Sequence, residues 1–197
     1  MPDYKPIETE YNGYRFRSRL EARWAVFFDQ LGIKYEYEPE GFELSDGTWY
    51  LPDFYLTESN SFFEVKGIMS DKDSHKIEQL IKDTLKVVTI GYSDMSFQTC
   101  DKWYEDTAPT LTQKEYSILG RCAACGEYYF VGEIGVWTCQ CCGYYSGDST
   151  YYEQCRGDWT SKNRFWSPEK HIEDAFKTAK SSRFEYGEAW AKRNNTK

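Results

Sequence analysis

The chain predicts a mixed fold of the α/β (α+β) class, and three features of its sequence carry that expectation. Apolar residues recur at helical spacing in residues 18–31 and again in 71–84. Between these stretches lie three short aromatic or β-branched runs, KYEYEPEGFEL, TWYLPDFYLT and SFFEVKG. A fourth run, LKVVTIG, follows the second helical stretch and suits a buried strand. The order expected over residues 15–91 is therefore α-β-β-β-α-β, with a small cysteine-rich module and a C-terminal helix after it.

In the first helix Leu20, Trp24, Phe27, Phe28 and Leu31 form the apolar stripe, and Gly32 stops it. Ser18 followed by Glu21 is a capping-box pattern. The three strand runs are separated by SDG and ESN, which reads as an antiparallel meander. Asp71 is the N-cap candidate of the second helix, whose stripe is Ile77, Leu80 and Ile81. Residues 92–117 lack a sustained period and read as a connector with room for a short helix. From 121 to 145 the composition turns to Cys, Gly and aromatics, with too little apolar volume to fold without a staple. Ser167-Pro168-Glu169 suits an N-cap with Pro at N1, ahead of a stripe of Ile172, Ala175, Phe176 and Ala179. The expected organisation is a core at 1–93, a connector at 94–117, the cysteine module at 118–160, and a helix with a basic tail at 161–197.

The 197 residues carry 24 Lys and Arg against 32 Asp and Glu, a formal charge of −8. That balance argues against a protein that engulfs nucleic acid through overall basicity, so any phosphate-binding surface must be local. Arg15, Arg17, Arg19 and Arg23 all fall within YRFRSRLEAR and are the candidate nucleic-acid contacts. The alternative is a solvated edge pairing with nearby carboxylates. The N-terminus MPDYKPIETEYNGY has neither a basic nor an apolar leader region, and no run of 18 apolar residues occurs. The expectation is a cytoplasmic protein, of a bacterium or a phage-infected cell, with no membrane partner.

Two constellations carry chemistry. In a strand, residues two apart share a face about 6.7 Å apart, so Glu64 and Lys66 face one way while Phe63 and Val65 face the other. Asp53, in the preceding run, is brought beside Glu64 by a hairpin, with Leu51 and Tyr55 expected on its face. Two carboxylates near a lysine suit a hard divalent cation that polarises a phosphoryl oxygen and acidifies a water, with the ammonium positioning that water. The chemistry implied is phosphodiester hydrolysis. The plainer reading is a solvated strand face with a salt bridge worth at most ~1 kcal/mol.

Pro52-Asp53, ten intervening residues, then Glu64-Val65-Lys66 resembles the PD-(D/E)XK nuclease signature. The α-β-β-β-α-β order resembles that superfamily's restriction-endonuclease-like core, over about the first ninety residues and in the manner of its phage and transposon members. The resemblance implies Asp53 and Glu64 as ligands of Mg²⁺ (or Mn²⁺), the Val65 carbonyl as a further ligand, and Lys66 as the catalytic lysine. It also implies an assisting role for Glu21 on the first helix, although the capping box explains that residue equally well.

Cys122-Ala-Ala-Cys125-Gly126 and Cys139-Gln-Cys-Cys142-Gly143 are two CxxCG knuckles with thirteen residues between the inner cysteines. Four thiolates at this spacing close a tetrahedral structural Zn²⁺ site, and the module resembles a zinc ribbon. YYFVGEIGVW reads as a hairpin turning around residues 132–135. Cys141 is a competing ligand candidate, while Cys100 and Cys155 read as buried small side chains. The ribbon aromatics suit either base stacking or the module's own small core.

The sequence thus points to a Mg²⁺-dependent DNA endonuclease whose ribbon contributes to substrate binding. The alternative is a catalytically inactive nuclease-fold factor that binds nucleic acid or a protein partner in a phage or mobile-element system. Nothing in the sequence separates DNA from RNA. Cutting both strands of a duplex takes two active sites, which makes a homodimer an expectation that no motif carries.

Overall fold

The computed structural model describes residues 6–101, 108–132, 137–146, 151–157 and 168–184. In chain order these form β1 (Thr9–Tyr11), β2 (Tyr14–Phe16), α1 (Arg19–Leu31), β3 (Tyr35–Tyr37), β4 (Phe42–Glu43), β5 (Trp49–Tyr50), β6 (Phe54–Leu56) and β7 (Ser61–Lys66). Next come α2 (Asp71–Thr84), β8 (Val88–Tyr92), β9 (Phe97–Asp101), β10 (Thr110–Leu111) and a 3-10 turn, Lys114–Tyr116. The ribbon region holds β11 (Ser117–Cys122), β12 (Tyr128–Gly132), β13 (Trp137–Thr138), β14 (Tyr145–Ser146) and β15 (Tyr151–Arg156), and α3 (Lys170–Ser181) follows.

The main sheet has the order β10-β9-β8-β7-β6-β3. All its pairs are antiparallel except β7 with β8, which run parallel because α2 crosses between them. Alternation along β7 sets the two faces. Phe63 joins Trp24, Phe27 and Phe28 of α1 in one core, while Phe62 joins Ile77, Leu80 and Ile81 of α2 in another. α1 begins where the capping pattern places it: the Ser18 hydroxyl accepts from the Glu21 amide, and Gly32 closes the helix at φ 72°. Behind α1 lies α3, with the Phe27 and Phe176 rings stacked at 4.2 Å between centroids.

Several elements differ from the expectation. The N-cap of α2 is Ser70, not Asp71, because Ser70 and Asp73 close a reciprocal capping box. α3 is capped at Glu169 without a side-chain bond, so Pro168 lies outside it; Ser167 and the basic tail lie outside the described residues. β1 and β2 form an unanticipated hairpin, although Asn12-Gly13, both at positive φ, is a strong two-residue turn signal. Within the supposed connector, β9 and β10 extend the main sheet. Their pattern is obscured because a polar residue, Thr99, is buried between the core side chains Phe97 and Cys100. Thr99 is fully buried yet satisfied, its amide donating to the Ser117 hydroxyl at 2.9 Å. The first two strand runs each break in two, giving the small β4–β5 ribbon beside the sheet.

Gly91 of β8 sits opposite Val65, with the Trp24 ring of α1 close against it. A Cβ there would stand 2.5 Å from the Phe63 ring and 2.6 Å from the Trp24 ring, both fully buried. Neither ring has room to swing, so Gly91→Ala is expected to cost about 3 kcal/mol. The urea midpoint measures it, and an unshifted midpoint would show that the rings yield.

Candidate functional site

The β6–β7 register pairs Phe54 with Phe63, and continuing it one residue sets Asp53 opposite Glu64. Both carboxylates are buried, at 4% and 3% exposure. Asp53 Oδ2 accepts the Val65 amide at 2.7 Å, and the Asp53 amide donates to Glu64 Oε2 at 3.3 Å. Each acid also holds a cation. Arg17 Nη2 lies 2.7 Å from Asp53 Oδ1, and Lys66 Nζ lies 2.7 Å from Glu64 Oε1. Lys66 further reaches Asp73 at 3.5 Å, at the start of α2. Asp53, Glu64 and Lys66 therefore lie together on the α2 side of the sheet, as the hairpin and the strand alternation anticipated, and Val65 joins them through its amide.

Burial, and then the neighbouring Glu64 charge, pushes the Asp53 carboxyl up to about 8, only partly offset by the Val65 amide and Arg17. Burial alone would lower Lys66, but Glu64, Asp53 and Asp73 outweigh it and raise the ammonium's pKa. The Asp53 shift fixes a sign. A carboxyl that titrates higher folded than unfolded contributes stability below its ordinary value of 3.8 and loses it as pH rises through about 8. Without divalent cation, urea midpoints are expected to fall from pH 5 to pH 9. The fall should be largely absent in Asp53→Asn, and an equal slope in that variant would reject the assignment.

Glu21 is buried at the first turn of α1 with both oxygens engaged. Oε1 accepts the Ser18 hydroxyl at 2.7 Å; Oε2 accepts the Tyr37 hydroxyl at 2.6 Å and the Arg17 amide at 3.0 Å. It thereby braces the segment that delivers Arg17 to Asp53. Arg17 Nε also pairs with Glu38 at 2.6 Å, and its side chain is half-exposed. The other arginines go elsewhere. Arg15 pairs with Glu8, and with Arg19 it lines a cleft of about 330 Å³ between the β1–β2 hairpin and Phe184. Arg23 Nε is buried and completes no hydrogen bond.

Three neighbours were not anticipated: Tyr37, Asp73 and Tyr50. The pleat breaks at residues 51–53, so Leu51 turns outward and Tyr50, not Leu51, is buried beside the carboxylates. The only sequence signal was Pro52, which cannot donate to a ladder.

The second site is the cysteine cluster. One ligand atom from each of Cys122, Cys125, Cys139 and Cys142 lies within 4.8 Å of the others. Cys122 and Cys142 sulfurs are 3.8 Å apart, and those of Cys125 and Cys139 3.6 Å. Tetrahedral Zn²⁺ with Zn–S bonds of about 2.3 Å sets sulfurs about 3.8 Å apart, so the set fits a structural zinc. Each knuckle is the turn of its own hairpin. Gly126 and Gly143, at φ 79° and 70°, donate back to Cys122 and Cys139 at 2.9 and 2.8 Å. Burial alone would raise the Cys139 thiol, but the Tyr129 hydroxyl at 2.9 Å and the Cys142 amide bring it down to about 7. Cys141 is exposed and is not in the set of four. The anticipated 132–135 hairpin is corrected: β12 pairs with β11, and β13 with β14. Residues 133–136 lie outside the described residues.

No protein-family model matches the chain, and a search of curated proteins returns no match. No described helix is long and apolar enough to cross a membrane.

Proposed function

We propose that the protein is a metal-dependent endonuclease that hydrolyses phosphodiester bonds in DNA, with the cysteine ribbon contributing to substrate binding. The observation that carries this reading is the buried Asp53–Glu64 pair with Lys66 Nζ 2.7 Å from Glu64. Burying two carboxylates side by side is costly, and burial with the Glu64 charge pushes the Asp53 carboxyl up to about 8, so a divalent cation placed between them would relieve a repulsion that Arg17 only partly offsets. Asp53, Glu64 and the Val65 carbonyl would hold Mg²⁺ or Mn²⁺. Bound there, the ion supplies Lewis-acid polarisation of the phosphoryl group and a water acidic enough to attack near neutral pH. Lys66, charged and partly exposed, orients the attacking water. Arg17, which bonds Asp53 and still reaches solvent, meets a phosphate of the backbone. The run α1-β3-β6-β7-α2-β8, with β8 parallel to β7, supports the resemblance to the restriction-endonuclease-like core.

One observation favours a second reading. Arg17 already neutralises Asp53, as it would in an inactive nuclease-fold factor that binds nucleic acid or a protein in a phage or mobile-element system. Incubation of the zinc-loaded protein with single-stranded, duplex and branched DNA in Mg²⁺ or Mn²⁺ separates the two. Metal-dependent cutting supports the endonuclease, and binding or indifference without cutting supports the factor.

A further inference from the structure

Tyr50 stands beside the carboxylates with a hydroxyl that the fold does not satisfy. It ends β5, is 8% exposed, and belongs with Leu44, Phe62 and Ile77 to the apolar cluster on the α2 side. The hydroxyl is buried and completes no hydrogen bond. Its one neighbouring acceptor is the Glu64 carboxylate, near enough for a weak hydrogen bond and short of a well-formed one. A phenol keeps its proton at neutral pH, so this hydroxyl can act as a donor.

The β4–β5 ribbon is what brings Tyr50 there. Its turn is tied to α2, where the Ser45 amide donates to Asp83 at 2.8 Å and Gln79 donates to the Ser45 hydroxyl at 2.6 Å. Phenylalanine would fill the same apolar space without leaving a buried donor unmet, a defect that destabilises a fold. Glu64 meanwhile has Oε1 held by Lys66 and Oε2 by one long bond from the Asp53 amide.

We propose that Tyr50 is a positioning residue for Glu64: its hydroxyl donates to the carboxylate oxygen that Lys66 releases when a divalent cation binds, holding Glu64 in place as a ligand and freeing Lys66 for the attacking water. This rests on the nuclease reading for the roles of Asp53, Glu64 and Lys66. Outer partners of metal-binding carboxylates are typically worth about 10- to 100-fold in metal affinity or activity.

The test is Tyr50→Phe in the full zinc-loaded chain, with Mn²⁺ affinity measured by calorimetry and melting recorded without Mn²⁺. The expected result is Mn²⁺ binding weakened about tenfold with melting unchanged or higher, since the unmet donor is gone. Unchanged Mn²⁺ affinity overturns the proposal, whatever the melting temperature does. Wild-type protein that binds no Mn²⁺ overturns it together with the nuclease reading. Weakened binding in a protein that cuts no DNA in either form keeps the positioning role and rejects the nuclease reading alone.

Discussion

Lys66→Ala is expected to lower cleavage at least about a thousandfold while DNA binding persists. Among the described residues the Lys66 ammonium is the only cation paired with Glu64. Removing it has a second effect with the opposite dependence on metal. In cation-free protein Glu64, 3% exposed, loses its partner, and stranding a buried charge costs about 3 kcal/mol. A divalent cation compensates the carboxylate and returns most of that stability by mass action. Single-turnover cleavage and melting with and without Mg²⁺ are the measurements. Retained cleavage rejects Lys66 as the catalytic lysine, and a melt that Mg²⁺ does not restore rejects Glu64 as its ligand.

Cys139→Ala is expected to release the zinc and lower the melting temperature of the whole chain by about 10 °C or more. Closing a four-thiolate site contributes on the order of 10 kcal/mol to the folding of small zinc modules, and part of that persists here as stability. For a chain of this size each kcal/mol moves the midpoint by about 2–4 °C. The effect is expected to spread because the ribbon strands are not packed apart. Phe130 of β12 meets Phe63 of β7 and Phe97 of β9 at 5.3 and 5.0 Å between ring centroids. Zinc content and a circular-dichroism melt decide it. Loss of zinc with an unchanged melt would mean that the knuckles are an appendage.

What the sequence made legible was local. A 3.6-residue stripe with Ser18 before it and Gly32 after it specifies α1 unaided. The spacing from Asp53 to Glu64 is the length of one hairpin, and two CxxCG knuckles place four sulfurs wherever the chain between them runs. The illegible parts depend on partners far along the chain. Thr99 and Ser117 look like loop residues until each is seen to satisfy the other inside the sheet. Arg17 looks like one basic residue among four until Glu21 and Tyr37 fix its backbone and aim it at Asp53. Tyr50 reads as one more strand aromatic because the break at residues 51–53 is a tertiary event.

The shared core also bears on how the chain tolerates being cut. Leu119, Phe130 and Cys155 lie in the same apolar cluster as Trp24, Phe27 and Phe63, and α3 closes that cluster from outside α1. Ending the chain after the main sheet, near residue 117, would strip away both covers. The exposed rings left behind are an ingredient of aggregation. The cysteine ribbon and the last helix thus cover one face of the main sheet and of α1, and the N-terminal part of the chain is expected to depend on them to stay in solution.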